Sequence, residues 1–319
     1  MTSHFIILLV ALLLDRLVGD PDWLWRRLPH PVVWFGQLIG WGDKWLNDEK
    51  CTDEQKRQRG VMLIICLVLG SLIVGLGLQV IFQSLGLVGL AVEVLVVSVL
   101  LAQKSLLDHV RAVANGLGAG GLEGGRRAVA MIVGRDPKTL DEAGVSRAAI
   151  ESLAENFSDG VVAPALWYAL LGLPGLLAYK MINTADSMIG HLSDRYRAFG
   201  WAAAKLDDLV NWPAARLSAL LIILTKPTDL QENFTIVLRD ASLHRSPNAG
   251  WPEAAMASVA GLALAGPRIY SGDVADEPFM NDGAREDAGS VDIDRCISVA
   301  DRAFFIGVAL AAIFAVIAI

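Results

Sequence analysis

Charge is scarce in this chain. Asp, Glu, Lys and Arg make up 19% of its 319 residues, whereas 54% are hydrophobic. A soluble domain is typically about 25% charged and about 45–50% apolar, so the balance and the long apolar runs behind it exclude an ordinary soluble fold. The net charge of −7 and the lack of any basic block exclude a nucleic-acid partner. The three cysteines, Cys51, Cys66 and Cys296, are far apart and form neither a CxxC pair nor a disulfide framework. The five histidines show no HExxH or related zinc spacing. There is no Walker A sequence and no GxSxG elbow. Gly116, Gly118 and Gly121 fit GxGxxG, but no strand precedes them, so they are expected to form a glycine-rich turn. The apolar run Phe5–Leu14 has no basic residue before it and Asp15-Arg16 after it, in place of a cleavage site. It is expected to be a retained segment and not a signal peptide.

The apolar runs predict an all-α, polytopic membrane protein, with broken or re-entrant helices and cytoplasmic helical loops, forming one integral membrane domain over residues 1–319. Clear spans are expected near 61–82, 85–102 and 303–319, with a tilted span over 4–19 that is short for a perpendicular crossing. Residues 161–179 contain Pro164, Gly172, Pro174 and Gly175, and 209–224 contain Asn211 and Arg216, so both segments are expected to be broken or re-entrant. Ala254–Ala265, rich in small residues, suits a helix packed inside the protein. Residues 272–289 are acidic and glycine-rich and are expected to be a mobile loop. Trp23, Trp25 and Trp34 suit an interfacial belt. Lys and Arg crowd the segments before and after the 61–102 hairpin, and its Gln83-Ser84 link has none. By the positive-inside rule both basic segments face the cytoplasm.

Against this background the polar residues from Glu151 to Arg216 stand out, because such groups are costly beside hydrocarbon and are usually functional. Glu151, Glu155 and Asp159 fall four residues apart, on one helix face, with Asn156 beside them. Like charges so placed repel, so a cation, an amine or an Arg should compensate them. Asn183 and Asp186 are spaced i,i+3, and Asp207, Asp208 and Asn211 repeat the pattern. Their oxygens are the donors that hard cations take, and Mg²⁺ commonly joins one or two carboxylates to substrate phosphates. Helix capping is the plainer use of such residues. Arg239, His244 and Arg245 make a basic patch ahead of Pro252, a natural first helical residue, which suits an anion.

Six stretches together carry a family resemblance: DRLVGDP (Asp15–Pro21), HPVVWFGQLI (His30–Ile39), GRDPKTLDEAGVSRAAIESLAENFSDGVVAPALWYALLGLPG (Gly134–Gly175), NTADSMIGH (Asn183–His191), FGWAAAKLDDLVNWPAAR (Phe199–Arg216) and SPNAGWPEAAMA (Ser246–Ala257). In this order they resemble the CobD/CbiB family of cobalamin-biosynthesis membrane proteins, the adenosylcobinamide-phosphate synthases. The resemblance implies a ligase that joins the free propionate of adenosylcobyric acid to (R)-1-amino-2-propanol O-phosphate, or to aminopropanol, with ATP and Mg²⁺. It also implies a multi-pass protein of the bacterial inner membrane whose site faces the cytoplasm, in the lipid bilayer beside other cobalamin-assembly enzymes.

On that reading Asp186, Asp207 and Asp208 are the expected metal ligands. Arg216, Arg239, His244, Asn248, Glu253, Asn183 and Asn211 are the expected substrate or phosphate contacts. Glu151, Glu155, Asp159 and Asn156 are the expected catalytic groups, binding the ammonium or acting as base. Two other readings are a metal-dependent intramembrane transferase acting on a pyrophosphate substrate, and a transporter or sensor-like membrane protein. An ATP requirement with a corrinoid product separates the first from a synthase. No inverted repeat supports the second.

Overall fold

The computed structural model describes residues 2–21, 25–27, 29–134, 136–266, 268–270, 273–275 and 278–317. Trp23 and Arg135 lie outside them, as do parts of the 272–289 segment and the last two residues of the 303–319 run. Among the described residues four stretches are long and apolar enough to cross a membrane: Asp53–Ser84, Gly86–Val129, Glu142–Ile189 and Ser290–Ile317. The pair Trp201–Ile223 and Pro227–Leu243, bent by 107°, makes a fifth if counted as one span. The chain divides into two compact units. One unit is Met1–Ala102, Ala163–Asn211 and Ala311–Ile319, and the other is Gln103–Val162 and Trp212–Leu310.

The first unit is built on α1 (Thr2–Val18), α2 (Pro31–Leu46), α3 (Asp53–Ser84), α4 (Gly86–Leu100) and α7 (Ala163–Ile189). Helix α3 starts from a capping box. Thr52 Oγ1 accepts from the Gln55 amide, and Gln55 Oε1 accepts from the Thr52 amide. Asp53 and Glu54 in its first turn complement the helix dipole. Its outward residues, Ile65, Leu69, Ile73, Leu76 and Val80, are all apolar and more than half exposed. A helix apolar on its outer face as well as its inner one has hydrocarbon as its solvent. The inner face of α3 packs along α7, and α2 lies against both. Ile39, Leu63, Ile64, Met181, Ala185, Ile189, Phe199 and Ala203 close this core.

Helix α7 does not run straight. Gly172 has φ 67° and ψ −152°, a region that is essentially glycine-only. A Cβ on Gly175 would lie 2.4 Å from the Trp167 carbonyl oxygen, although eight residues of continuous helix span about 12 Å. The chain therefore turns back on itself at Gly172, and α7 is a helical hairpin. Pro174 follows the turn, and Gln79 Oε1 of α3 accepts from the Leu173 amide at 3.2 Å, supplying a partner for a backbone group at the break. Gln79 also contacts His4 Nε2 at 3.4 Å, and the His4 ring leans on Tyr168, whose hydroxyl donates to the buried Glu93 at 2.7 Å.

The second unit repeats the device. Helix α5 (Gln103–Val129) reverses at Gly121, with φ 57° and ψ −156°, and a Cβ on Gly124 would sit 2.2 Å from the Gly116 carbonyl oxygen. The GxGxxG stretch is thus a glycine-rich helix turn. Helix α6 (Glu142–Phe157), N-capped by Asp141, runs into a wider π turn over Ser158–Val162. Helices α9 (Leu230–Asp240) and α10 (Gly250–Ala260) follow, and every residue of α10 from Pro252 to Ala260 is buried.

The 209–224 segment lies in α8 (Trp201–Ile223), which runs on through Pro213 and forms one half of a bent helix pair. The bend comes just after, where Lys226 precedes Pro227 and leaves helical dihedrals at φ −130° and ψ 72°, as residues before proline tend to do. Short strands fall beside and within the described part of the 272–289 segment. Antiparallel pairs join β1 (Leu264–Ala265) to β4 (Phe279–Met280) and β2 (Arg268–Tyr270) to β3 (Asp273–Ala275). Asp292, at the start of α11 (Ser290–Ile317), pairs with Arg285 and accepts from the Gly289 amide, which ties down the end of the segment.

The reversal gives a stability prediction. Gly172→Ala would hold an alanine at φ 67° with its Cβ 2.4 Å from Gln79 Oε1, costing at least about 1–3 kcal/mol. Gly77→Ala on α3 meets nothing within 4 Å and gains up to about 1 kcal/mol of helix propensity. Thermal unfolding of the detergent-solubilised protein should show a clear drop for the first and none for the second. Equal shifts would rule out the hairpin turn.

Candidate functional site

The second arm of α7 carries Tyr179, Asn183 and Asp186 at i, i+4 and i+7, on one helix face. The first turns of α8 carry Asp207, Asp208 and Asn211. The first unit brings these together. Asn183 Nδ2 donates to Asp207 Oδ1 at 3.4 Å, and Asn211 Nδ2 donates to Asp207 Oδ2 at 2.9 Å. Tyr179, fully buried, donates its hydroxyl to Asn211 Oδ1 at 2.9 Å. This bond fixes which way the Asn211 amide faces. The Asp186 carboxylate is close enough to feel the charges of Asp207, Asp208 and His191. Asp208 also pairs with Lys205 at 3.2 Å.

Gly190 closes this cluster. A Cβ there would lie 1.9 Å from Asp186 Oδ1 and 2.7 Å from the Asp186 carbonyl oxygen. The carboxylate folds over the end of α7 into space that only glycine leaves open. Among the described residues no group of three His, Cys, Asp or Glu side chains is arranged to hold a metal ion by itself.

The second unit holds the other expected residues. Arg216 lies between two indoles, 4.6 Å from the Trp212 ring and 4.4 Å from the Trp251 ring. Its Nη1 donates to Asn248 Oδ1 at 2.9 Å and to the Trp212 carbonyl at 3.1 Å. Stacking and amide contact fix the guanidinium plane. Ser246 Oγ accepts from the Asn248 and Ala249 amides and shapes the SPNAGWPE turn. His244 Nδ1 accepts from the Ser246 amide at 2.9 Å, which directs Nε2 toward Glu253 Oε1, 3.8 Å away and buried. Arg239 is not joined to His244: both its bonds go to neighbouring Asp240, at 2.5 and 2.7 Å.

The expected catalytic row is split. Glu151 is buried on α6, and its Oε1 accepts from the Ala265 amide at 2.9 Å. That contact supports Ala265 at φ 62°, an uncommon conformation for alanine. Glu155 and Asn156 are exposed, and Asn156 donates back to Ser152. Asp159 stands on the π turn, off the regular i,i+4 row, and such turns are frequent at functional sites.

Sequence reasoning missed Tyr179, Trp212, Trp251, Gly190 and His191. Tyr179 was traceable as a hydroxyl one helical turn before Asn183. Trp212 stands four residues before Arg216, at helical contact spacing.

A double-mutant cycle tests the buried bond. Tyr179→Phe and Asn211→Ala should show a coupling of about 0.5–1.5 kcal/mol in unfolding free energy. Additive losses would mean that the hydroxyl does not hold the amide.

Comparison with known proteins places this arrangement in a lineage. Residues 8–300 match the family model described as CobD/Cbib protein. The chain is 60% identical over 299 residues to Cobalamin biosynthesis protein CobD of Sinorhizobium sp, covering 92% of this chain and 93% of that one. The protein of the same name from Rhodobacter capsulatus is 46% identical over 296 residues, with 93% and 92% covered. No solved structure matches. A family model spanning nearly the whole length, with relatives this similar from end to end, establishes that the chain belongs to the CobD/CbiB family of cobalamin-biosynthesis proteins.

Proposed function

We propose that this protein is the amide-forming synthase of its family. It joins the free propionate carboxyl of adenosylcobyric acid to the amine of (R)-1-amino-2-propanol O-phosphate, giving adenosylcobinamide phosphate with consumption of ATP. The observation that carries this reading is the Asp207 carboxylate gripped by two side-chain amides beside Asp186, in a chain of this family.

A carboxylate and an ammonium do not condense unaided in water. The propionate oxygen attacks the γ-phosphorus of ATP, forming an acyl phosphate and releasing ADP. The amine, having lost a proton, attacks the acyl carbon, and phosphate departs with the C–O bonding pair. Carboxylate and amide oxygens suit Mg²⁺, which keeps several waters and uses one or two carboxylates together with substrate phosphates, so the donors fit without an all-protein cage. Asp186 and Asp207 would hold the ion together with water and substrate phosphate, Asp208, paired with Lys205, would add charge beside them, and Asn183 and Asn211 would orient the carboxylates. Bound there, Mg²⁺ neutralises charge on the transferring phosphoryl group.

Arg216 is assigned to an anionic group of the substrates, because its stacked guanidinium donates to neutral partners among the described residues and keeps further N–H donors. His244, with Glu253 on the side of its Nε2, is assigned to the same work. Arg239 contributes charge to that region while its bonds are spent on Asp240. Glu155 and Asp159 are assigned to the ammonium or to proton removal, with Asn156 assisting, whereas Glu151 acts through the Ala265 loop it supports. A site that uses ATP and soluble corrinoids must open to the cytoplasm. The Lys and Arg distribution around the 61–102 hairpin supports that orientation in the bacterial inner membrane.

Asp186→Ala and Asp207→Ala should abolish cobinamide phosphate formation while both variants still insert in the membrane. Gly190→Ala should cut it at least tenfold by displacing Asp186, since a shift of about 1 Å can cost up to about 10²-fold. Full activity in the Asp variants would refute the assignment. The reaction itself is tested by growth of a cobalamin auxotroph lacking this step on cobyric acid. Rescue by added cobinamide, but not by this gene with cobyric acid, would overturn the synthase reading.

A further inference from the structure

We propose that the groove between α2, α3 and the second arm of α7 is a binding site for one acyl chain of a membrane phospholipid. The groove lies wholly in the first unit and has a volume of about 390 Å³, within the range of about 300–1,000 Å³ usual for ligand pockets. Its walls include Trp34 and Leu38 of α2, Gly70, Ser71 and Val74 of α3, and Met181 of α7. They offer almost nothing polar. The Ser71 hydroxyl is spent on the Leu67 carbonyl at 2.8 Å, so the wall suits hydrocarbon and not a polar metabolite.

The position of the groove selects the source of that hydrocarbon. It opens on α3, whose exposed residues Ile65, Leu69 and Ile73 continue the same apolar surface. Helix α2, 16 residues long, shows Trp34, Leu38, Trp41 and Trp45 on one exposed stripe, the Trp residues being 53%, 64% and 81% exposed. Such a stripe marks a helix lying in the membrane interface, with indoles at headgroup level. An acyl chain whose headgroup rests by Trp34 therefore has a path along Gly70 and Val74. Gly70 leaves the floor open: a Cβ there meets nothing within 4 Å.

The inference does not rest on the reaction assigned above. Its test uses the full-length chain in vesicles of phosphatidylethanolamine and phosphatidylglycerol, doped with a phospholipid bearing a diazirine midway along one acyl chain. Light-induced crosslinks are mapped by peptide mass spectrometry. Wild type should label the Gly70–Val74 and Trp34–Leu38 peptides several-fold more than Leu76 and Val80, which face the bilayer on the same helix. Gly70→Leu adds a side chain to the groove at a position where its Cβ meets nothing within 4 Å. Displacing contact with one or two methylenes should lower groove labelling roughly tenfold, with labelling at Val80 unchanged. Val74→Trp, filling the groove from the next turn, should act likewise, and Gly77→Leu should not. Equal labelling of both faces in wild type overturns the proposal. So does groove labelling that survives both filling variants while their unfolding midpoints stay at the wild-type value, or crosslinks that join Trp34 to a second copy of the chain.

Discussion

A backbone that turns around in an apolar layer must find partners for the groups it frees, since hydrocarbon offers none. The first unit depends on how α7 meets this demand. Gly172 takes dihedrals closed to other residues, Pro174 brings no N–H, and Gln79 reaches from α3 to take the Leu173 amide. Gln79 is steadied by His4, and His4 by Tyr168, whose hydroxyl in turn covers the Glu93 carboxylate. Four helices are thereby tied to one turn. The turn also sets where the polar end of α7 arrives. From Gly172 the first arm back to Ala163 is about 13 Å long, while Asp186 lies about 21 Å along the second. The second arm thus overshoots the first and carries Asn183 and Asp186 clear of the level at which the hairpin began.

Much of this was legible in the sequence, because it depends on local properties. Long apolar runs mark the spans, and the Pro and Gly content of 161–179 marks a disturbed helix. The carboxylates and amides could be grouped because i,i+3 and i,i+4 spacing is itself a statement about a helix face. Other features depend on contacts that no spacing encodes. Asn183 meets Asp207 across 24 residues, and Glu151 meets Ala265 across 114. Trp251 joins Trp212 around Arg216 only because the SPNAGWPE turn folds against α8. Strands of two or three residues, as at 264–280, are too short to show an alternation. The bend that follows 209–224 is set by the pre-proline geometry of Lys226, just past the apolar run.

Asp207 and Arg216 share a physical arrangement. The hydrogen bonds that fix Asp207 come from amides, and the partners that fix Arg216 are an amide oxygen, a carbonyl and two indoles. Neutral partners orient a charge without cancelling it. Direct ion pairing does the opposite, and the chain uses it at other charges: Asp208 with Lys205, Arg239 with its neighbour Asp240, and Arg285 with Asp292, the last tying the end of the 272–289 segment to α11. A carboxylate held only by amides still attracts a cation, and a guanidinium held only by indoles and carbonyls still attracts an anion. Holding an uncancelled charge away from bulk water costs free energy that an ion pair would recover in part. Its retention at these positions is explained if the compensating charge arrives with the ligand. The same argument separates Glu151 from its neighbours on α6. Its resolved hydrogen bond goes to a backbone amide of a conformationally demanding loop. Its geometry is that of a support, and the exposed Glu155 and the half-buried Asp159 on the π turn are better placed to meet something that comes from solution.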